Sequence, residues 1–290
     1  MINKNSLYEN KKMSNLTWFN VGGCSKYYFQ PSSKEDLIFF LENNDLNLPI
    51  YPLGAGSNII IRDQGFNGII IHFNKLNEIL IDKKGIITAY CGAMDAEVAR
   101  FARNHFRTGL EFLIGIPGTI GGGIKMNSGA YGSEIKNILI DVTAINKNGI
   151  LKKFTVKDLK LNYRTNKLSH EWMFLKARFK SNSGCKDIIQ NKMKMIIQSR
   201  KISQPTGQKT GGSTFMNGKD FKAWELIDNS GCRGLKKGGA IISNKHCNFI
   251  INENNATASD IETLGEIVRK KVFKKTGKKL NWEIKIIGEK

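Results

Sequence analysis

Cysteine is scarce and unpaired in this 290-residue chain: Cys24, Cys91, Cys185, Cys232 and Cys247 are odd in number, widely scattered and free of any CxxC spacing. Neither a disulfide framework nor a metal site is expected from that pattern, which fits small buried thiols in a reducing cytoplasm. Long apolar runs are missing too; none approaches the roughly 18 residues of a membrane span. Residues 1–14 are polar and lysine-rich and lack the apolar segment of a secretory signal. No repeat of about 20–50 residues is present, nor any zinc-finger spacing, RNP-like aromatic motif or basic heptad region. Negative charge is the last shortage: 25 Asp and Glu stand against 45 Lys and Arg, a formal net charge of +20.

That excess admits two readings. Lysine and arginine release counterions from phosphate backbones, as in nucleic-acid binders; they also cover proteins that handle small anions. Here the lysines spread along the chain, with short clusters at Lys236-Lys237 and at Lys270-Lys271, Lys274-Lys275 and Lys278-Lys279. Asn and Ile are abundant beside Lys, a pattern of genome-wide compositional bias. An anionic small substrate is therefore the expected partner rather than nucleic acid. With 40% hydrophobic and 24% charged residues the composition is ordinary for a globular protein, and the length suggests two domains of about 150 residues each.

Residues 33–43 read as a capped helix with Leu37, Phe40 and Leu41 on one face. Residues 50–53 read as a strand running into Gly54-Ala55-Gly56-Ser57-Asn58, and the β-branched runs at 59–61 and 69–71 follow, so this loop joins strand to strand. A short helix follows Asp95, with Val98, Phe101 and Ala102 inward. A second glycine-rich stretch, Gly115-Ile116-Pro117-Gly118-Thr119-Ile120-Gly121-Gly122-Gly123, leads to Met126-Asn127-Ser128-Gly129-Ala130-Tyr131-Gly132. Strands and turns occupy 139–180, and 187–201 has a helical apolar period. In the final α+β segment, residues 260–276 form a helix with Ile261, Leu264, Val268 and Val272 on one face and Gly277 as its stop. Residues 280–287 alternate as a strand, with Leu280, Trp282, Ile284 and Ile286 on one side.

Glycine lets a backbone approach a phosphate and turn its amides toward the anion. Two such loops in one chain fit a diphosphate-bearing cofactor, with Asn58 and Thr119 as added hydrogen-bonding side chains. The dinucleotide fingerprint needs GxGxxG between strand and helix. Gly54-Ala55-Gly56-Ser57-Asn58-Ile59 lacks the third glycine and enters a strand, which disfavours a Rossmann site. Tight turns without a ligand remain the plainer alternative for either loop alone.

After the two glycine blocks and residues 126–132 come Tyr163-Arg164, Gly212-Ser213-Thr214-Phe215-Met216-Asn217, Gly238-Gly239-Ala240 and Glu283-Ile284-Lys285-Ile286-Ile287-Gly288. In these blocks and their order the chain resembles the UDP-N-acetylenolpyruvoylglucosamine reductase family. The resemblance implies an α+β protein: an FAD-binding fold of the vanillyl-alcohol-oxidase type, built of two α+β subdomains, plus a C-terminal α+β substrate domain. The implied boundaries are 1–80 and 81–200 for the FAD subdomains, with strand 280–288 packing back on the first, and 201–290 for the substrate domain. Fewer than fifty residues separate Tyr163-Arg164 from the 212 block, which resembles the short form without a tyrosine-bearing capping loop. Two departures stand out: Thr165-Asn166 follows Tyr-Arg where the family has serine, and Gly218 replaces a common proline, which is expected to loosen that turn.

By the same resemblance, noncovalent FAD would be held by Gly54, Ala55, Gly56, Ser57, Asn58, Gly115, Ile116, Pro117, Gly118, Thr119, Gly121, Gly122, Asn127, Gly129 and Ala130. NADPH would be the hydride donor and UDP-N-acetylglucosamine enolpyruvate the substrate, in a cytoplasmic, monomeric enzyme of peptidoglycan synthesis. Arg164 would polarise the substrate carboxylate, Ser213 would give a proton to carbon, and Glu283 would stabilise the enolic intermediate. Tyr163, Asn217, Arg233 and Lys285 would contact substrate. Taken alone, these residues also fit plainer roles: a surface ion pair for Arg164, a turn hydroxyl for Ser213, a solvated strand face for Glu283 and Lys285. His246 beside Cys247 is not expected to form a nucleophile pair, because neighbours on a strand face opposite ways. Other FAD oxidases or dehydrogenases of the same fold, and a non-catalytic nucleic-acid binder, remain the alternatives.

Overall fold

The computed structural model describes residues 7–290, so the first six residues of the polar 1–14 stretch lie outside the described residues. Chain contacts divide it into two compact units. One comprises Tyr27–Ala55 and Gly68–Ser199 with the described residues up to Tyr8; the other comprises Glu9–Lys26, Gly56–Asn67 and Arg200–Lys290. Among the described residues no helix is long and apolar enough to cross a membrane.

The first unit is built on a five-stranded sheet. Its order is Leu151–Thr155, Leu139–Asn146, Trp172–Phe179, Ile87–Tyr90 and Ile79–Ile81, every neighbour antiparallel. Val142, Ala144, Ala177, Phe179, Ile87 and Ala89 are buried on it, and the helix Asp95–Asn104 adds Val98, Ala99 and Ala102 to the same core. A register shift between Thr143 and Ala144 breaks the strict alternation of the central strand. A second cluster gathers Phe29, Leu37, Phe40, Leu41, Ile69 and Ile71, with the Phe29 and Phe40 rings stacked at 4.0 Å. The helix Lys34–Glu42 starts where the sequence places it, because the Ser33 side chain accepts from the Asp36 amide at 3.0 Å. Ile50–Leu53 pairs in parallel with Phe66–His72, Ile50 opposite Ile69, and the 54–58 loop leaves this strand to enter Ile59–Ile61.

The stretch 115–123 is not all loop: Ile120–Lys125 is a short helix. Its glycines let the chain lie against residues 91–95, where Asp95 donates its amide to Gly118 O at 3.0 Å, Ile120 to Ala93 O at 2.9 Å and Gly121 to Cys91 O at 3.0 Å.

In the second unit the helix Ala258–Thr276 buries Ile261, Leu264, Val268 and Val272 and ends at Gly277, whose φ is 68°. They join Phe19, Val21, Ile60, Phe215, Leu280 and Ile284 in one core. A three-stranded antiparallel sheet runs Lys236–Lys237, Ala240–Ile242, Ile250–Asn252. Lys285–Ile287 pairs in parallel with Ile59–Ile61. Only these three residues of the expected 280–287 strand form a ladder; Trp282 makes an isolated bridge to Phe215. The indole explains the break, because its Nε1 donates to Glu266 Oε1 at 2.8 Å and its ring centroid lies 5.0 Å from that of Phe215.

Candidate active site

Gly54 ends the strand Ile50–Leu53, and a Cβ built on it would lie 2.4 Å from Thr119 Oγ1. Only glycine lets the two loops meet there. The Thr119 hydroxyl is buried and, among the described residues, without a hydrogen-bond partner. The amides of Ala55, Gly56, Ser57 and Asn58 donate to no backbone carbonyl of the described residues. A buried hydroxyl without a partner costs free energy unless something satisfies it. Unpaired amides beside a glycine turn are the donor set that a diphosphate requires. These residues therefore fit FAD.

The next block of expected cofactor residues forms a hairpin of its own. Asn127, in left-handed conformation at φ 41°, accepts from the Lys136 amide at 2.9 Å and donates to Glu134 Oε2 at 2.7 Å. That carboxamide closes the hairpin in which Gly129 pairs with Glu134 and Ala130 with Ser133. Gly115 ends the 3-10 helix Glu111–Gly115; Ile116 and Pro117 are half-buried, Gly118 is buried, Gly121 is half-buried and Gly122 is exposed.

Sequence reasoning missed Asp95. Its side chain is fully buried, neither carboxylate oxygen has a partner among the described residues, and burial pushes its pKa up to about 8. An acid in the first turn of a helix looks ordinary in sequence, so no local signal marks it.

Tyr163 and Arg164 form the turn between Asn162 and Thr165, which exchange backbone hydrogen bonds at 3.0 and 3.1 Å. Arg164 has φ 54°, a left-handed conformation costly for a side chain of this size. Its guanidinium carbon lies 5.2 Å from the exposed Tyr163 ring centroid. Asn166, a departure from the family pattern, holds this turn: it donates to Lys125 O at 2.7 Å and accepts from the Leu168 amide at 3.1 Å. Its carboxamide supplies both the donor and the acceptor that hold this turn.

The second unit brings Asn58, Ser213, Glu283 and Lys285 together. Ser213 bridges to Phe249 and precedes Thr214, whose carbonyl accepts from the Glu283 amide at 2.9 Å. Asn58 Nδ2 donates to Glu283 O at 3.3 Å, and Asn58 O accepts from the Lys285 amide at 3.0 Å. Asn248, also unforeseen, clamps the serine segment through Thr214 N at 2.7 Å, Phe215 N at 2.9 Å and Phe215 O at 2.8 Å.

Asn217 caps the helix Ala223–Asn229 by accepting from the Ala223 amide at 2.9 Å. Gly218 does not loosen its turn as expected. Its amide donates to Phe221 O at 3.1 Å, and a Cβ there would lie 2.2 Å from the Phe221 ring, so glycine admits the ring that closes the turn. Arg233 grips Asp228 through two bonds of 2.9 and 2.6 Å and donates to Asn244 O; this guanidinium holds the Asp228 carboxyl below its ordinary range. His246 and Cys247 occupy a turn, not a strand, and the buried Cys247 thiol is pushed up to about 11 by burial. It is therefore no thiolate nucleophile. Among the described residues no cluster of His, Cys, Asp and Glu could hold a metal ion.

The geometry agrees with comparisons to known proteins. Residues 25–155 match the FAD binding domain family, and residues 204–287 match the C-terminal domain of UDP-N-acetylenolpyruvoylglucosamine reductase. The UDP-N-acetylenolpyruvoylglucosamine reductase of Orientia tsutsugamushi (strain Ikeda) is 48% identical, the match covering 97% of this chain and 94% of that protein. That of Rickettsia prowazekii (strain Madrid E) is 47% identical over 96% and 94%. The crystal structure of the Thermus caldophilus reductase superposes with a TM-score of 0.83 at 28% identity, covering 97% of this chain and 98% of its own. The architecture is thus the FAD-binding fold of the vanillyl-alcohol-oxidase type with a C-terminal α+β substrate domain. At this identity over nearly its whole length, the chain belongs to the UDP-N-acetylenolpyruvoylglucosamine reductase family.

Proposed function

We propose that this chain reduces the enolpyruvyl double bond of UDP-N-acetylglucosamine enolpyruvate to give UDP-N-acetylmuramate, with NADPH as hydride donor. The step belongs to peptidoglycan synthesis, and through the wall to cell shape and division. FAD, bound noncovalently, supplies the hydride chemistry when present. The residues of the two glycine blocks hold it, from Gly54 to Asn58 and from Gly115 to Gly122, with Asn127, Gly129 and Ala130 shaping the adjoining turn.

Adding hydride to an enol ether conjugated with a carboxylate leaves negative charge on the neighbouring carbon and in the carboxylate. The protein must neutralise that charge and return a proton to carbon. Arg164 fits the carboxylate, because its planar fork matches two oxygens. The Ser213 hydroxyl gives the proton to carbon, and Glu283, protonated at that moment, stabilises the enolic charge, which an ionised carboxylate would repel. Tyr163, Asn217, Arg233 and Lys285 contact substrate; Asp228 fixes the orientation of Arg233. Domains of 1–80, 81–200 and 201–290, a monomeric state, a cytoplasmic location and the absence of a nucleic-acid partner belong to the same reading.

The observation that supports this reading is the backbone bond from the Glu283 amide to Thr214 O, which fixes Glu283 against the segment that carries Ser213. Anaerobic NADPH should bleach the flavin band of the purified protein, and the enolpyruvyl substrate should restore it. Bleaching without recolouring would exclude the reductase and leave another flavin enzyme of this fold. Ser213→Ala should bleach at nearly the wild-type rate and recolour more slowly by orders of magnitude; equal loss in both halves would remove Ser213 as the carbon acid.

A further inference from the structure

At the edge of the five-stranded sheet lies a basic cavity to which the reaction gives no role. It is about 400 Å³ in volume and opens between the edge strand Leu151–Thr155, the short helix Val156–Leu159 and residues 167–172. That size is at the small end of ligand sites. Five lysines line it, Lys152, Lys153, Lys157, Lys160 and Lys167, against a single acid, Asp158. The acid and one of the lysines are already engaged. Asp158 Oδ2 accepts from the Thr155 amide at 2.7 Å and from the Thr155 hydroxyl at 2.8 Å, and Lys153 pairs with Asp141 at 3.0 Å. Among the described residues, Lys152, Lys157, Lys160 and Lys167 form no ion pair.

Edge strands often carry lysine to block pairing with another chain. That accounts for Lys152 and Lys153 but not for Lys157, Lys160 and Lys167, which lie beyond the strand. Lys160 takes a left-handed conformation, φ 45°, where glycine would sit without strain. Like charges gathered round one cavity repel each other unless an anion sits among them.

The rings in the cavity narrow the class of anion. Phe154 is buried, the half-buried Trp172 ring crosses it steeply at 5.1 Å, and Lys152 Nζ lies 5.2 Å from the Phe154 centroid. Packed on each other, the rings line the cavity rather than stand out as platforms on which successive bases stack. Lysine ammoniums are compact point charges that bind phosphate without a fixed fork geometry. Four of them around one small concavity suit a short chain of linked phosphates, whose closely spaced charges they can share.

We propose that this cavity is a binding site for an oligophosphate, held by Lys152, Lys157, Lys160 and Lys167 through its phosphates and not through a base or sugar. None of these lysines is among the residues assigned above to FAD or to the enolpyruvyl substrate, so the site stands independently of the proposed reaction.

The test is calorimetric titration of the FAD-loaded protein with inorganic triphosphate. One triphosphate should bind per chain, ATP should bind about as well, and saturating UDP should leave the affinity unchanged. The triple variant Lys157→Gln, Lys160→Gln, Lys167→Gln should weaken triphosphate about tenfold or more. A control triple, Lys270→Gln, Lys274→Gln, Lys278→Gln, removes the same charge from exposed positions of the C-terminal cluster. It should change the affinity by less than about twofold, since distant surface charges are screened. A normal flavin spectrum and melting temperature certify that each variant is folded. No binding by wild type, or unchanged affinity in the first triple, would overturn the site. Equal loss in both triples would reduce it to net charge, and competition by UDP would place the triphosphate among the substrate residues; either result overturns it. A single-stranded oligonucleotide that binds more tightly than triphosphate and is lost in the first triple would replace it with a nucleic-acid surface.

Discussion

At the scale of single residues, folding supplies partners that spacing along the chain does not announce. Ser213 and Glu283 come together, yet Asn127, Asn217 and Arg233 use their polar atoms on Glu134, Ala223 and Asp228. Side-chain commitments of this kind depend on neighbours brought by folding, which no local spacing encodes. Asp95 is the sharpest case. An unfolded chain ionises an Asp near pH 4, whereas burial raises the folded pKa to about 8. Between those values the folded protein holds a proton that the unfolded chain has lost, so stability falls as pH rises from about 4 to about 8 and levels off above. Asp95→Asn keeps the shape without the titration. The melting temperature of the variant relative to wild type should therefore climb from pH 5 to pH 8; an equal gap at both pH values would show that Asp95 titrates normally.

At the scale of elements, periodicity served best where packing alone decides the outcome. The helix Ala258–Thr276 and its buried face of Ile261, Leu264, Val268 and Val272 were legible because one apolar stripe meets one core. The Ile120–Lys125 helix was hidden by its own glycines, poor helix formers that are used here for close approach to residues 91–95. The start of the long helix shows what sequence conceals. Thr257 accepts from the Asp260 amide at 3.0 Å, a local cap that the pattern contains. Asp63, 195 and 196 positions away, accepts from the Ala258 amide at 2.9 Å and the Ser259 amide at 2.8 Å. Asp63→Ala leaves both donors to water and removes a negative charge from the positive end of the helix. It should cost about 1–2 kcal/mol in urea unfolding; a loss below about 0.5 kcal/mol would mean the local Thr257 cap suffices.

At the scale of the whole molecule, chain order and compactness part ways. The second unit draws on Glu9–Lys26 and Gly56–Asn67 as well as Arg200–Lys290, whereas a reading along the sequence gathers 201–290 into one domain and expects only strand 280–288 to pack back on the N-terminal part. A fragment of residues 200–290 would lack Phe19, Val21 and Ile60 from its core. It would lose the Ile59–Ile61 partner of its last strand, the Asp63 cap and the two-bond Arg62–Glu262 pair. The Asn252 side chain, which donates to Phe19 O at 2.8 Å, would lose its acceptor. Three large apolar side chains contribute about 1.5–3 kcal/mol each when buried. A domain of this size has only about 5–15 kcal/mol of net stability, so the missing contacts match the whole margin. The isolated fragment should show no cooperative thermal transition and little near-ultraviolet circular dichroism from its Trp224 and Trp282. A sharp transition in the fragment would mean that its own sheet and helix suffice, and that the two N-terminal segments dock on a domain already formed.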